Sequence, residues 1–380
     1  AAAAGSPWVS WRAGAAAVRI TPPVGPAYPK VWLAGYGTGR LASAIHDDLY
    51  ARALVLETGR AQGPPLREGT AVAIVALDLI GLFYTDTLAI RRYVAAALPS
   101  AAGLRVIVAC THVHAGPDTL GLWGPTQTVT GRDPGYVEKV RRAAAEAVVQ
   151  AWRSRRPATV RISQTRCREY IRDARLPEVI DDRLTVIGAD DTRGRAIATL
   201  VGWANHPEVL PPQNTILTAD YPHYLIGRVE ATRGGVGLFV NGAIGGLMTP
   251  LKVPVKNGDG VLMAEGSFEK AAVVGEGVAR RALEALATAR PVPARLALAT
   301  TQVFVPLTNR GFRILSGLGV IPRTVYTDGR VDTSTTTTRY WWKKLPTVAG
   351  RDVLTEVGLL DIGPARAALI CRSAASTGSS

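Results

Sequence analysis

Runs of apolar residues, separated by short polar turns, recur along most of the chain and predict buried β-strands. The clearest runs, at residues 70–77 and 104–110, are almost entirely apolar, which is typical of strands that are buried on both faces. Strands are also predicted at residues 15–20, 49–57, 159–164, 184–188, 196–203, 236–240 and 296–305.

Other segments carry apolar residues at helical spacing. Residues 135–152 show it best, because one face of a helix there would hold Val137, Val140, Ala144, Val148 and Ala151. Helices are also predicted at residues 86–97, 220–232 and 271–289. Because buried strands alternate with helices, the sequence predicts an α/β fold: a single large domain with a mixed β-sheet core and helices on both faces.

Three segments depart from this pattern. Residues 1–10 are predicted to be disordered or processed, and the Ser- and Ala-rich residues 371–380 to be disordered, so the domain is expected to span residues 11–370. Residues 305–344 contain a threonine-rich run followed by Tyr340-Trp341-Trp342. Their pattern fits either a β-rich excursion or a loop on the substrate side.

Composition narrows the possible partners. The chain has 380 residues, 47% of them hydrophobic, which allows a sizeable core. Its net charge of +14 favours anionic partners, such as nucleic acid or an anionic membrane surface. Only the charge favours nucleic acid, and no RNP or zinc-finger motif accompanies it, so no nucleic-acid partner is expected.

The beginning of the chain bears on its location. The apolar runs are too short to span a bilayer. The Ala-rich start without Met fits a processed export signal or a fragment boundary. We expect a secreted or periplasmic protein.

Histidine is scarce, which makes its placement informative. Only five histidines are present, and two of them, His112 and His114, directly follow the apolar run at residues 104–110. In an extended chain, side chains two residues apart point to the same side, so both imidazoles can reach one ion or one bound water. The alternative is a pair of histidines that are satisfied by hydrogen bonds in the core.

A third histidine follows another apolar strand. His206 lies three residues beyond the end of residues 196–203, and sites in open α/β sheets form beyond the carboxyl ends of strands. Zinc favours two or three imidazoles with an open position for water. A turn histidine before Pro207 is the alternative. The chain has no CxxC pair, which excludes a cysteine-based zinc cluster.

Two further segments are candidates for the substrate side of the site. Residues 239–250 read as a strand and a glycine-rich loop, whose N–H groups can face an anionic oxygen. Asp220, in the segment TADYP, either lines the site or caps the helix that follows.

In combination, these segments resemble those of the neutral, non-lysosomal ceramidases. The resemblance is carried by THVHAGP (111–117), WANHPEVL (203–210) and FVNGAIGGLMTP (239–250). Four further segments occur in the same order as in the family, namely RAGAAAVRITPPVG, AGYG, HDDLYARALVLE and LTADYPHYL.

The resemblance implies a function and a set of site residues. The chain would be a bacterial Zn²⁺-dependent hydrolase that cleaves the N-acyl amide bond of ceramide or a related lipid amide. His112 and His206 would be zinc ligands, and His114 and Thr249 catalytic residues. Residues that would contact the substrate are Gly245, Gly246, Asp220 and Tyr221.

Two departures from the family pattern leave a second hypothesis open. Gly246 stands near the position of an aspartate, and the glutamate and tyrosine that complete the family's zinc shell have no match. Where that glutamate is expected, the chain reads Cys371-Arg372-Ser373, which suggests a catalytic domain that is incomplete at its C-terminal end. The alternative function is therefore a non-catalytic ceramidase-like domain that binds lipid or glycan.

Overall fold

A computed structural model describes residues 10–58, 71–245 and 247–370. The strands are β1 (Trp11–Arg19), β2 (Ala44–Ile45), β3 (Tyr50–Thr58), β4 (Ala71–Leu77), β5 (Leu104–Cys110), β6 (Arg156–Arg166), β7 (Arg172–Asp173), β8 (Arg183–Asp191), β9 (Ala196–Trp203), β10 (Ile216–Leu217), β11 (Val236–Asn241), β12 (Met248–Thr249), β13 (Leu296–Pro306), β14 (Tyr326–Thr327), β15 (Arg330–Val331), β16 (Thr335–Tyr340), β17 (Lys343–Val348), β18 (Asp352–Ile362) and β19 (Ala365–Ile370). The helices are α1 (Tyr84–Ala97), α2 (Pro134–Arg153), α3 (Tyr221–Arg233), α4 (Phe268–Ala287) and α5 (Arg310–Gly317).

Eight strands form the main sheet, in the order β11-β9-β8-β6-β1-β3-β4-β5. β4 pairs with β5, and β9 with β11, in parallel. The other pairs in this sheet are antiparallel. The prediction of a mixed sheet is therefore confirmed.

The main sheet folds over on itself. The strand order puts β5 and β11 at opposite ends, yet these two edge strands contact each other, as do β1 and β9. The inward face forms a continuous core that includes Trp11, Leu54, Ile74, Ile187, Leu200 and Leu238. Because this core spans both halves of the sheet, the chain folds as one domain, as predicted.

Helices cover the outer faces of both halves. α1 and α2 pack on the half that contains β3 and β4, through Ile90, Val140, Ala53 and Val75. α3 and α4 pack on the half that contains β8, β9 and β11, through Leu225, Val278, Val186, Trp203 and Phe239. Because the sheet is folded, each of its halves has one outer face, and helices cover both of these faces. The predicted helices on both faces are therefore present.

α1, α2 and α4 begin one to three residues before their predicted positions, whereas α3 begins one residue after its predicted position, because Asp220 is its N-cap. The Asp133 carboxylate accepts from two backbone N–H groups at the start of α2. The hydroxyl of Ser267 accepts from the N–H of Lys270, so α4 starts three residues before the predicted position. None of the described helices is long and apolar enough to cross a bilayer.

A second, antiparallel sheet contains β13, β18, β14, β15 and β19, and it contributes Leu296, Leu360 and Ile362 to the inner core. Residues 305–344, which the pattern left open, contain the short helix α5, the strands β14 and β15, and the hairpin of β16 with the start of β17. The predicted disordered segments 1–10 and 371–380 lie, apart from Ser10, outside the described residues.

Candidate metal centre

The folding of the sheet brings two strand ends together. His112 and His114 follow β5, and His206 follows β9. The ring centroids of the three imidazoles lie 5.1–5.5 Å apart. One ring nitrogen from each lies within 4.8 Å of the other two, so the three side chains could hold one metal ion.

The orientation of His112 is set by its backbone and by a carbonyl group. Its φ of 67° lies in the left-handed region, which is uncommon for a residue with a side chain and turns the chain sharply after β5. Nδ1 lies 2.8 Å from the carbonyl oxygen of Ile80. Because a carbonyl oxygen only accepts, the proton must be on Nδ1, and Nε2 keeps its lone pair for a metal.

His206 is held in the same way. Its Nδ1 lies 2.7 Å from the carbonyl oxygen of Met248, which also accepts from the backbone N–H of His206 at 3.0 Å. The glycine-rich loop therefore fixes this imidazole through its main chain, and the proton is again placed on Nδ1.

The partner of His114 is a carboxylate. Nδ1 lies 3.1 Å from Oε2 of Glu208, a close polar contact whose alignment is not that of a well-formed hydrogen bond. Nε2 is buried and has no hydrogen-bond partner in the described part of the chain. Buried polar atoms are normally satisfied, so an orphaned imidazole nitrogen between two other imidazoles fits a metal ligand.

The backbone of His114 is fixed by a buried guanidinium. Nη1 of Arg40 donates to the carbonyl oxygens of His114 and Ala34, at 3.0 and 2.9 Å. On the other side, the edge of the Tyr36 ring packs against the imidazole, and the Tyr36 hydroxyl donates to the carbonyl of Leu210 at 2.8 Å. The loop that contains Tyr36 therefore forms one wall of the site.

The charges in the site suit metal binding. Burial, reinforced by the neighbouring His114 and His206, lowers the pKa of His112 to about 3, so this imidazole is neutral near pH 7. Burial alone would raise the pKa of Glu208, but the contact with His114 and the other polar neighbours hold it below its ordinary value. A neutral imidazole and an ionised carboxylate are the forms that a metal site needs.

Thr249 lies next to this carboxylate. It is buried, and its side chain lies beside Glu208, where it contributes to the lowered pKa of that carboxyl. Its Oγ1 also accepts from the backbone N–H of Leu251 at 3.1 Å. The two predicted catalytic residues, His114 and Thr249, therefore both lie beside the carboxylate of Glu208.

The predicted substrate-binding residues are more scattered. The buried carboxylate of Asp220 caps α3 and accepts from the backbone N–H groups of Val209, Leu210 and Tyr221. Tyr221 is fully buried, and its hydroxyl donates to the carbonyl of Asn205. Both side chains hold the loop that contains His206. Their direct contact with a substrate stays a prediction.

The glycine-rich loop is only partly described. Gly245 is exposed and has a φ of 37°, whereas Gly246 lies outside the described residues. The remaining two histidines lie apart from the cluster. Nδ1 of His46 lies 2.8 Å from the carboxylate of Asp47, and His223 is at the first turn of α3.

Sequence reasoning missed three residues of this site. Glu208 stands two residues after His206, a spacing that could have identified it, whereas nothing local marks Arg40 as buried. Asn241 ends β11, and its side chain joins β11 to the end of β5. Such a contact depends on the folding of the sheet and has no local pattern.

Comparisons with known proteins agree with this fold. No family model matches the chain, and a search of curated proteins gives no match. The neutral ceramidase from Pseudomonas aeruginosa has a similar structure, with a TM-score of 0.68 and 17% identity over 93% of this chain. A ceramidase structure described as complexed with C2 is similar too, with a TM-score of 0.66 and 16% identity.

The chain spans 61% and 62% of the lengths of these two ceramidase chains. At such low identity the similarity establishes a shared fold. The resemblance drawn from the motifs is therefore confirmed at the level of the fold, which is ceramidase-like.

Proposed function

We propose that the chain is a zinc-dependent amidohydrolase that cleaves the N-acyl bond of ceramide or a related lipid amide. The observation that carries the proposal is the convergence of three imidazoles. Nδ1 of His112 and of His206 each contacts a backbone carbonyl oxygen, and Nδ1 of His114 contacts a carboxylate. The fold shared with two ceramidases supports the reaction and the class of substrate.

His112, His114 and His206 would hold the ion through Nε2. This extends the motif-based expectation, in which His114 lies beside the metal. The change rests on the buried and unpartnered Nε2 of His114, and three imidazoles with an open position are a known arrangement for catalytic zinc. When bound, zinc would polarise the amide carbonyl and make water a better nucleophile.

Glu208 would act as a positioning residue. Its carboxylate keeps the proton of His114 on Nδ1 and fixes the plane of the ring, as carboxylates commonly do behind a ligating histidine. Thr249 would hold Glu208 in this position through its hydroxyl. The catalytic role that the resemblance gives Thr249 remains a prediction.

The substrate would enter beside the glycine-rich loop. Gly245 is exposed in this loop, next to the strand that supplies the carbonyl of Met248 to His206. Asp220 and Tyr221 would shape the opposite wall by holding residues 207–210 and Asn205. A lipid amide would come from a membrane, which agrees with the basic charge of the chain and with the expected secreted or periplasmic location.

The second candidate is a lipid- or glycan-binding domain without catalysis. The observation that favours it is Gly246, which stands near the position of an aspartate in the family's glycine-rich loop. The two candidates predict different behaviour of the zinc-containing chain: an amidohydrolase would hydrolyse a lipid amide, and a binding domain would not.

The test combines metal content with amide hydrolysis. We expect about one zinc per chain by elemental analysis, and release of fatty acid from a short-chain ceramide that a chelator abolishes. His112→Ala and His206→Ala should lose both properties. His223→Ala, which changes a histidine outside the cluster, is the matched control. Bound zinc without turnover would favour the binding domain, and a chain without zinc affinity would refute the proposal.

A further inference from the structure

A tight hairpin displays two neighbouring tryptophans. Tyr340 of β16 pairs with Lys343 of β17, so the turn between the strands consists of Trp341 and Trp342 alone. Their side chains are 73% and 75% exposed, and their rings meet edge to face at 5.6 Å. Two large indoles left in water at one tip are unusual for a folded surface and mark an interaction site.

The base of this hairpin is firmly anchored. Thr347 and Val348, at the end of β17, are buried. Arg313 of α5 donates to the carbonyl of Val348 at 3.0 Å, and the backbone of Pro346 lies directly against Gly317 of the same helix. Six-residue strands are about 20 Å long. The fold therefore holds the base rigidly and projects the tip away from it.

Cations surround the two indoles. Arg339, Lys343 and Lys344 are exposed, and no ion pair involves them within the described ranges. Residues 305–350 contain seven Lys or Arg and two Asp, a net charge of +5. The tip thus combines amphipathic aromatic rings with unpaired positive charge.

This combination identifies the partner by its chemistry. Tryptophan prefers the boundary between headgroups and acyl chains, and Lys or Arg near an anionic leaflet adds electrostatic attraction. We propose that the β16–β17 tip is a membrane anchor, which inserts Trp341 and Trp342 at the headgroup level of an anionic bilayer while the three cations contact lipid phosphates.

The anchor is connected to the metal centre through packing. Ile321, in the same excursion, packs with Leu120, and the carbonyl of Val320 lies against Gly121. Leu120 and Gly121 belong to the loop that follows His114. A hairpin docked on a bilayer would therefore hold the centre near the membrane. The inference stands without the proposed hydrolysis, because it concerns where the chain binds.

Vesicle binding of the whole chain tests the anchor. We expect the unmodified chain to sediment with vesicles of phosphatidylcholine mixed with phosphatidylglycerol, less so in high salt, and only weakly with phosphatidylcholine alone. Trp341→Ala/Trp342→Ala should reduce the partition coefficient by at least about tenfold. Lys343→Gln/Lys344→Gln should reduce it roughly thirtyfold on the anionic vesicles only, at about 1 kcal/mol per charge.

Two controls make the result specific. Val261→Ala/Leu262→Ala removes another adjacent pair of exposed apolar side chains and should bind vesicles as the unmodified chain does. His112→Ala/His206→Ala should also bind normally, which separates the anchor from the metal chemistry.

The proposal is overturned by any of three results. The first is that the unmodified chain does not bind anionic vesicles. The second is that the double tryptophan variant binds them as well as the unmodified chain does. The third is that Val261→Ala/Leu262→Ala loses as much binding as the double tryptophan variant. Tryptophan-dependent binding to a single-stranded oligonucleotide, with no binding to vesicles, would assign the tip to nucleic acid instead.

Discussion

The side-chain amide of Asn241, at the end of β11, donates a 2.6 Å hydrogen bond to the carbonyl oxygen of Thr111, directly after β5. Its Oδ1 accepts from the backbone N–H of Asn205 at 3.2 Å. Thr111 precedes His112, and Asn205 precedes His206. One amide thus ties together the two chain segments that supply the histidines.

Removing this amide should loosen both the fold and the site. We expect Asn241→Ala to lower the free energy of unfolding by about 1–3 kcal/mol, because it leaves buried backbone groups unpaired. Zinc affinity should fall as well. Urea unfolding and zinc titration measure the two effects. Asn257→Ala, which changes an amide in an exposed turn, should leave zinc affinity unchanged.

The charge of Glu208 should matter more than its shape. Glu208→Gln keeps the size of the side chain but removes the negative charge that faces Nδ1 of His114. Zinc affinity is expected to fall about 10–100-fold. Glu276→Gln, which removes an exposed carboxylate that pairs with Arg228, is the control. Equal zinc affinities for both variants would contradict the positioning role.

Gly35 leaves room for His114. Its φ is 107°, and a Cβ at this position would lie 2.5 Å from Cβ of His114. Gly35→Ala should therefore displace the imidazole, weaken zinc binding and lower thermal stability. A Cβ added at Gly37, two residues further on, would have no neighbouring atom within 4 Å. Gly37→Ala should therefore leave zinc binding and thermal stability almost unchanged.

The hydroxyl of Thr249 should be replaceable only by another hydroxyl. Thr249→Ser keeps a hydroxyl beside Glu208, whereas Thr249→Val keeps the volume and removes the hydroxyl. We expect the valine variant to lose zinc affinity and amide hydrolysis together, and the serine variant to retain zinc binding. A valine variant with normal zinc affinity but no turnover would instead support a direct catalytic role for Thr249.

Asp220 should give the metal-free protein a distinct pH dependence. Burial raises the pKa of this carboxyl from 3.8 to about 6. Between these values the folded chain binds more protons than the unfolded chain, so stability should decline as pH rises from about 4 to 6. Two pKa units correspond to about 3 kcal/mol. Asp220→Asn should remove this part of the pH dependence, measured by urea unfolding. Identical pH profiles for the two proteins would refute it.

The element types could be predicted because each depends on local pattern. β4, β5 and α2 were recognised within a residue or two, since burial on both faces, or on one helical face, leaves a periodic signature in the sequence. The THVHAGP and WANHPEVL segments likewise marked the histidines, because both follow strands. The fold-level resemblance to ceramidases was recognised from the same segments.

The remainder depends on contacts between distant segments. The contact between β5 and β11 arises from the curvature of eight strands, which no single strand encodes. The pairing of Glu208 with His114 follows from that curvature. Residues 305–344 were ambiguous because α5, although amphipathic, is only eight residues long. Three of the four threonines of β16 are exposed, so this strand shows no alternation of apolar and polar residues.

The folded sheet also has a consequence for the order of events during folding. β5 and β11 are far apart along the chain, and their contact requires the closure of a long loop, which costs more conformational entropy than the neighbouring hairpins do. The hairpins and helices of each half can form before the halves meet. We therefore expect the three imidazoles to come together late, so that they could hold a metal ion only after most of the tertiary structure has formed.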